Sequence, residues 1–278
     1  MNAVAEQAGS WFARLELDFS YHSPRTVISR RKHTGPLVIQ KPFYPEGPVC
    51  HTYLLHPPGG VVGGDRLQLD VNVAPNAHAL ITTPAAGKFY RSDGRIASMR
   101  QRMQVQGGAI LEWLPQETIL FSASQGNLQT VVELEPGAGF IGWEITCLGR
   151  PASDEKYDQG ELRQHFELWR EGRPLLIERN ALQGNAPILD AVWGLQGYPV
   201  SGTLLAVNAD KPMLDAVREA LQDHDEVRAS ATLINDVLVC RGLAQQAESL
   251  RNLFIQLWEV IRPALLLRTA SSPRIWFT

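Results

Sequence analysis

Three carboxylates stand in otherwise apolar stretches and are the first candidates for chemistry. Glu112 lies in the segment ILEWL, Glu144 in IGWEI and Glu178 in LLIE. A charged group is costly to bury without a partner, so each either faces solvent from one side of a strand or lines a wet interior passage. Alternation along a strand turns Glu144 away from Trp143 and Ile145, which is compatible with both interpretations. Oxygen ligands bind divalent transition-metal ions less tightly than thiolates or imidazoles do, so such a passage would let a divalent cation move.

A second group of potential ligands is Cys50, His51 and His56, whose sulfur and nitrogen atoms suit nickel, copper or zinc. Successive side chains of a strand alternate between two faces, so His51 is expected to point away from Cys50 and His56. A tight site needs several converging ligands. The sequence therefore predicts no tightly bound metal, and structural, hydrogen-bonded histidines are the simpler interpretation.

Motifs for nucleotide or acyl chemistry are absent from the sequence. It has no GxxxxGK[ST] pattern, so any nucleotide hydrolysis would have to come from a partner. The run PPGGVVGGD at residues 57–65 has no lysine and precedes a strand pattern, so it predicts a glycine hinge where chain segments pass closely and not a phosphate loop. GxSxG, HExxH and CxxC motifs are also missing. We therefore predict that the protein is not an enzyme.

The composition is that of a globular protein, with 44% hydrophobic and 20% charged residues among 278. A net charge of −3 gives no basic field to hold a nucleic acid. Three cysteines, Cys50, Cys147 and Cys240, match no disulfide framework and indicate reduced, buried thiols. Residues 1–17 lack a secretory or membrane-spanning stretch. A cytoplasmic protein with neither nucleic acid nor membrane as partner is expected.

Strands are the elements that would position most of these residues. Short alternating or apolar runs, separated by turn residues, predict strands that include residues 15–19, 67–73, 79–83, 99–105, 130–134 and 140–148. The segments VNVAPNA, MQVQGGA and VELEPGA repeat a strand, a turn and an alanine, with the alanines 32 and 29 positions apart (109 − 77 and 138 − 109). This period predicts a mainly β fold, with a layered or solenoid-like β body over residues 1–200. Three ordinary hairpins with similar turns are the alternative.

The C-terminal portion, residues 201–278, has a mixed pattern. It predicts a strand at 203–207, a helix at 212–224, a hairpin of 227–234 and 237–240, a second helix at 244–266 and a last strand at 274–277. The order β-α-β-β-α-β is that of a ferredoxin-like α+β unit that carries two helices. Pattern alone leaves open whether this portion folds by itself or fuses with the body into one domain.

A stiff segment precedes the glycine-rich run. This proline-rich segment (residues 41–48, KPFYPEGP) contains three prolines together with Phe43 and Tyr44. Preset geometry loses little entropy on docking, which suits a partner surface. It suits equally a loop packed against the sheet.

Several motifs occur in an order that resembles a known family. They are QKPFY at 40–44, CHTYLLHPPGGVVGGD at 50–65, TTPAAGKFYR at 82–91, EWLPQETI at 112–119 and GRP at 149–151. This ordered set spans most of the chain and resembles the urease accessory protein family UreD, also called UreH.

The resemblance implies a mainly β scaffold that joins a helical, UreF-like accessory protein and a GTPase, UreG-like accessory protein to urease apoprotein. It implies assistance in GTP-dependent insertion of nickel into the urease active site, with GTP bound by the partner and nickel passing transiently through an internal tunnel. No catalytic residues and no tightly bound cofactor are implied. The residues alone would also allow a β-fold hydrolase with paired carboxylates.

Two groups of candidate residues follow from this resemblance. Candidates for lining the nickel passage are Glu46, Asp65, Glu112, Glu144 and Glu178. Candidates for partner contact are Phe43, Tyr44, Lys88 and Arg91, of which the two basic residues can instead cap their loop.

Overall fold

The computed structural model describes residues 10–222, 224 and 226–277, which form seventeen strands and two α-helices. In chain order the strands are β1 (Phe12–His22), β2 (Arg25–Thr34), β3 (Val38–Ile39), β4 (Cys50–Leu55), β5 (Arg66–Val73), β6 (His78–Thr82), β7 (Gly87–Phe89), β8 (Ala97–Val105), β9 (Ile110–Leu114), β10 (Thr118–Leu120), β11 (Ser124–Leu134), β12 (Gly139–Leu148), β13 (Gly160–Arg170), β14 (Arg173–Gln183), β15 (Val200–Val207), β16 (Val227–Ile234) and β17 (Val237–Ala244). The helices are α1 (Lys211–Ala220) and α2 (Ala247–Leu266).

Two large sheets contain most of these strands. The first has the order β14-β13-β11-β8-β5-β1-β2, and the second has the order β16-β17-β15-β12-β9-β6-β4-β3. The short strands β7 and β10 pair in parallel with each other, and β10 pairs with the end of β12.

The expectation that the N-terminus lacks a secretory or membrane-spanning stretch falls partly on residues 1–9, which lie outside the described residues. Within the described residues, no helix is both long and apolar enough to cross a membrane.

Successive coils of the chain give one strand to each sheet, which is a solenoid-like arrangement. β4, β6, β9 and β12 are parallel neighbours in the second sheet, and β5, β8, β11 and β13 are parallel neighbours in the first. The repeated alanines stack at the turns between the sheets: Ile110 N donates to Ala77 O at 2.9 Å, and Gly139 N donates to Ala109 O at 2.8 Å. The predicted β body is confirmed. The hairpin alternative is wrong because the strands that flank each turn belong to different sheets.

Hydrophobic cores cover both faces of the second sheet. The core between the two sheets includes Leu69, Trp113 and Phe140. The other core lies between the second sheet and the helices and includes Ile145 and Leu257. A sheet buried on both faces explains why β9 and β12 are apolar almost without interruption.

The C-terminal portion matches its prediction in every element except the last. Both helices and the β16–β17 hairpin occur, although α1 ends at Ala220 where the prediction runs to 224, and α2 begins at Ala247 where the prediction begins at 244. Arg274–Phe277 is a 3-10 helix and not a strand, and the position beside β15 that a fourth ferredoxin-like strand would take is occupied by β12 of the body. The ferredoxin-like unit is therefore incomplete. The boundary at residue 200/201 falls inside β15, and the division into two portions stays a prediction.

The glycine-rich run passes close to a neighbouring segment, as the sequence predicts. A Cβ atom on Gly60 would lie 2.5 Å from Tyr90 Cε2 and 2.9 Å from Lys88 O. Val61 N donates to Lys88 O at 2.8 Å, and Tyr90 N donates to Val61 O at 2.9 Å. The glycine lets two backbones approach closely enough to form these hydrogen bonds.

Replacing Gly60 by Ala is expected to lower the free energy of unfolding by about 1–3 kcal/mol, because the added methyl group overpacks against the Lys88 carbonyl. Gly87→Ala is the matched control, since its Cβ would meet only Thr118 Oγ1, at 3.7 Å. The control is expected to stay within about 0.5 kcal/mol of the parent. Urea unfolding followed by tryptophan fluorescence measures both, and equal midpoints for the two variants would contradict the explanation.

Candidate functional site

Glu144 lies between the two sheets and not at the protein surface. It is on β12, and the alternation predicted from the sequence holds, since Trp143 and Ile145 face α2. The opposite face of β12 is covered by the first sheet, so Glu144 is half-buried between the sheets and does not face open solvent. Its accessible surface lies on two cavities that it lines. The interior-passage interpretation is the one that this position allows.

Polar side chains from three neighbouring strands and from β12 itself surround Glu144. The Thr130 hydroxyl donates to its Oε1, and Gln164 Nε2 donates to its Oε2 at 2.9 Å. Thr130 Oγ1 also lies 3.4 Å from Gln101 Oε1. Thr146 Oγ1 donates to Gln164 Oε1 at 3.5 Å. The result is an oxygen-rich cluster within an otherwise apolar layer.

Glu178 reaches the same space from β14. Its Oε1 accepts a hydrogen bond from Arg241 Nε at 3.0 Å, and its Oε2 accepts one from Thr203 Oγ1 at 3.3 Å. Burial raises the pKa of Glu144, and the negative charge of Glu178 acts in the same direction, against the hydrogen bonds that Glu144 accepts. Glu144 is therefore protonated to a larger extent at a given pH than an exposed glutamate would be.

Two cavities meet at Glu144. The outer cavity has a volume of about 540 Å³, opens at the surface and includes Glu178 in its lining. The inner cavity, of about 80 Å³, extends between the sheets as far as Gln116. Both are lined by Glu144, Thr146 and Gln164, so these side chains border both spaces.

Glu112 belongs to a different site, on the opposite face of the second sheet from Glu144. It is fully buried beneath α2, where Arg262 Nε donates to Oε2 and Arg262 Nη2 donates to Oε1, both at 3.0 Å. Trp258 Nε1 donates to Oε2, and His78 Nε2 approaches Oε1, both at 2.7 Å. Burial by itself would raise the pKa of Glu112, but His78 and Arg262 outweigh it and lower the pKa to about 2.

Glu46 joins this buried network from the proline-rich segment. Arg262 Nη2 donates to Glu46 Oε1 at 2.8 Å and to Oε2 at 2.9 Å, and His51 Nε2 lies 2.7 Å from Oε1. Burial raises the pKa of Glu46, but the contacts with His51 and Arg262 lower it by more. One guanidinium thus holds two carboxylates. The network holds α2 and the proline-rich segment against the sheet. The carboxylate oxygens of Glu46 and Glu112 all accept hydrogen bonds within it.

Asp65 is a buried loop cap in a third place. Its Oδ1 accepts a hydrogen bond from Trp11 N at 2.8 Å, and its Oδ2 accepts one from Val62 N at 3.0 Å. The carboxylate therefore ties the residue before β1 to the glycine-rich run. The passage candidates occupy three separate places: Glu144 and Glu178 between the sheets, Glu46 and Glu112 under α2, and Asp65 in this loop.

The potential metal ligands of β4 do not converge. Cys50 belongs to the core between the sheets, whereas His51 turns to the other face and contacts Glu46, as strand alternation predicts. Among the described residues, no group of three or more His, Cys, Asp and Glu side chains is arranged to hold a metal ion. Cys50, Cys147 and Cys240 are buried and unpaired with one another, as predicted.

The partner-contact candidates differ in exposure. Phe43 is 41% exposed and Arg91 is exposed, whereas Tyr44 and Lys88 are half-buried. The proline-rich segment pairs back onto β4, where Phe43 N donates to His51 O at 2.9 Å. It is a loop packed against the sheet from which Phe43 projects, and its role in partner contact stays a prediction.

Sequence reasoning missed Arg262 and the polar partners of Glu144. Arg262 follows the apolar stripe of α2 directly, so a charge on the buried side of that helix was the available signal. Gln101, Thr130 and Gln164 each stand at an inward strand position between apolar neighbours, where a polar side chain is unexpected. Those interruptions of the alternating pattern indicated a polar interior, although nothing in the sequence indicated that they meet Glu144.

Comparison with known proteins identifies the family to which this chain belongs. The family model described as UreD urease accessory protein matches residues 12–277. The chain belongs to the UreD family. It is 44% identical to the urease accessory protein UreD of Azoarcus sp. over the full length of both chains. The UreD proteins of Citrobacter koseri and Nitrosococcus oceani are also 44% identical, over 96% and 97% of this chain and 92% and 91% of their own lengths.

Membership of the UreD family confirms the resemblance and defines the coarse role. The chain is a urease accessory protein, with a role in urease maturation that involves urease and other accessory proteins. UreD proteins are maturation factors and not enzymes, so the prediction that the chain is not an enzyme is confirmed and the hydrolase alternative is set aside.

Proposed function

We propose that this UreD-family protein is a scaffold that joins a helical, UreF-like protein and a GTPase, UreG-like protein to urease apoprotein in the cytoplasm. In this proposal it assists GTP-dependent nickel insertion into the urease active site, with GTP bound by the GTPase. The observation that carries the proposal is the pair of cavities that meet at Glu144. A scaffold that served for contact alone would not need a half-buried carboxyl group between two cavities.

Nickel is the cargo of the passage that we assign to this space. The donors along it are the carboxyl groups of Glu144 and Glu178, the Thr146 hydroxyl and the Gln164 amide. Oxygen donors hold nickel more weakly than imidazole or thiolate, which suits transient contact and not storage. A cation that binds at Glu144 competes with the proton that the raised pKa favours, which keeps residence short.

The other three candidates are less suited to this task. The oxygens of Glu46 and Glu112 already accept hydrogen bonds from Arg262, and those of Asp65 accept backbone hydrogen bonds. None of the three lines either of the two cavities at Glu144, whereas Glu178, although it is paired with Arg241, lines the outer one. We therefore assign Glu46, Glu112 and Asp65 to holding the fold and limit the passage to Glu144 and Glu178.

The test is co-expression of urease apoprotein and the other accessory proteins with and without this chain, followed by purification of urease. Nickel content and urea hydrolysis are expected to rise together only when the chain is present. The Glu144→Gln and Glu178→Gln variants then test the passage of nickel, and the Glu112→Gln variant tests a carboxylate that we assign to holding the fold. Equal nickel content without the chain would overturn the proposal.

A further inference from the structure

An ordered surface loop exposes a large apolar side chain at the mouth of the outer cavity. The loop spans residues 186–198 between β14 and β15, and we call it the tryptophan loop. At its tip Val192 is 84% exposed and Trp193 is 76% exposed. Tryptophan is enriched among the residues that contribute most of the binding energy at protein interfaces. The position of Trp193 is not explained by packing within this chain.

Hydrogen bonds within the tryptophan loop hold its shape. Leu195 N donates to Ile188 O and Gly197 N donates to Leu189 O, both at 2.8 Å. Ile188, Leu189 and Leu195 also pack against the core between the sheets. A Cβ atom on Gly194 would overlap Ile188 O, so the tight turn beside Trp193 requires glycine. A loop anchored in this way pays little ordering entropy when a partner binds its tip.

The loop is also part of the cavity wall. Trp193 and Gly194 line the outer cavity together with Glu144, so a protein bound over Trp193 would cover the mouth that leads to Glu144. The loop and Glu144, which we assign to the nickel passage, line the same cavity. This shared cavity distinguishes Trp193 from the other exposed apolar residues.

Arginine side chains surround the mouth. Arg179, Arg228 and Arg241 belong to the cavity lining, and Arg228 Nη1 donates to Gln196 Oε1 of the loop at 2.7 Å. Arg241 is paired with Glu178, whereas Arg179 has a longer contact, 3.8 Å, with Glu167. The exposed carboxylate of the loop itself is Asp190. The rim of the mouth is thus rich in cations around an apolar tip.

We propose that the tryptophan loop, with Arg179 and Arg228, is the docking surface for an acidic protein partner in urease maturation, which receives Trp193 in an apolar pocket and covers the cavity mouth. The proposal rests on the function proposed above. An uncovered arginine rim repels a divalent cation, whereas carboxylates of a partner would neutralise the rim and offer oxygen ligands on the way to Glu144. Docking and passage of nickel are therefore coupled.

The experiment uses the full chain, co-expressed with urease apoprotein and the other accessory proteins. The variants are Trp193→Ala and the charge reversal Arg179→Glu with Arg228→Glu. Phe277→Ala is the control, because Phe277 is a 74% exposed aromatic residue outside the cavity lining. Dissociation constants for each partner that co-purifies with the parent are measured at low and high salt, and nickel in purified urease is measured separately.

Trp193→Ala is expected to weaken binding of one partner about ten-fold or more, as loss of an interface anchor does, and to lower nickel in urease. The charge reversal is expected to weaken the same partner and to remove most of the salt dependence of its binding. Both variants should melt at the parent temperature, since the substituted side chains are exposed. The control should bind as the parent does.

Parent-like affinity of both variants for every partner would overturn the proposal. It would also fail if Trp193→Ala changed only self-association of this chain, measured by light scattering, because the occupant would then be a second copy. Failure of the proposed function has a different signature: nickel loading of urease would be independent of the chain even though Trp193→Ala still lost a partner.

Discussion

Arg262→Met is expected to lower the free energy of unfolding by about 3–5 kcal/mol, the largest effect of any single substitution that we predict. Met retains the apolar stem but removes the five N–H donors. Glu112 and Glu46 would then remain buried without the guanidinium that balances them. The cost comes from these unpaired charges and from the loss of the link between α2 and the second sheet.

A surface ion pair provides the comparison. Lys211 and Asp215 form an exposed pair on α1, with Lys211 Nζ 3.0 Å from Asp215 Oδ1. Lys211→Met is expected to change stability by less than about 0.5 kcal/mol, because solvent screens such pairs. Urea unfolding at neutral pH measures both variants. A loss below about 1 kcal/mol for Arg262→Met would show that the network is not a major source of stability.

The pH dependence of this effect has a definite sign. Glu112 has its pKa lowered from 4.5 to about 2, so its contribution to parent stability is fully present above pH 4.5 and is lost as the pH falls towards 2. In Arg262→Met, protonation of Glu112 removes a buried unpaired charge and so favours the folded state. The stability difference between parent and variant is therefore expected to shrink on acidification through this range.

Glu144→Gln is the second variant with a large expected effect, and that effect is on nickel and not on folding. Nickel in co-expressed urease is expected to fall about five-fold or more, because a neutral amide is a much weaker ligand than a carboxylate. The substitution keeps the side-chain volume. The Thr130 hydroxyl can rotate to accept a hydrogen bond from the new amide, and Gln164 can still donate to its oxygen.

Stability measurements separate this effect from damage to the fold. A carboxyl group with a raised pKa destabilises the folded state as the pH rises through that pKa, since the buried charged form is disfavoured. Glu144→Gln removes this penalty and is expected to be as stable as the parent at neutral pH, or more stable. Its advantage over the parent should disappear in acid, where Glu144 is protonated.

Glu133→Gln is the matched control for nickel delivery. Glu133 lies on the outer face of the first sheet and pairs with Arg102 at 2.9 Å, outside both cavities at Glu144. Unchanged nickel content with this control and reduced content with Glu144→Gln would support the passage. Equal nickel content with both variants would remove Glu144 from the route.

The two carboxylates Glu112 and Glu144 look alike in the sequence, since each interrupts an apolar strand. The structure gives them opposite surroundings: Arg262 and His78 lower the pKa of Glu112, whereas burial raises the pKa of Glu144. The donors that distinguish them come from residues far away in the chain. Arg262 is separated from Glu112 by 150 positions, so no local pattern could have connected them.

Local patterns were sufficient for much of the fold. Alternating apolar residues, turn residues and the recurrence of Ala77, Ala109 and Ala138 predicted the strands and the solenoid-like β body, because side-chain alternation and turn chemistry depend on near neighbours. The amphipathic stripe of α2 and the β16–β17 hairpin were predictable for the same reason. Ordered motifs were also sufficient for the resemblance to the UreD family.

Only the tertiary structure decided what covers each face of a strand. The sequence placed Glu144 away from Trp143, but the first sheet, and not water, covers that side. The last segment, Arg274–Phe277, does not pair with β15 as a ferredoxin-like strand would, because β12 already occupies that edge of β15. Burial, pairing partners and the meeting of cavities depend on residues distant in the chain, so they are properties of the assembled sheets and not of any segment.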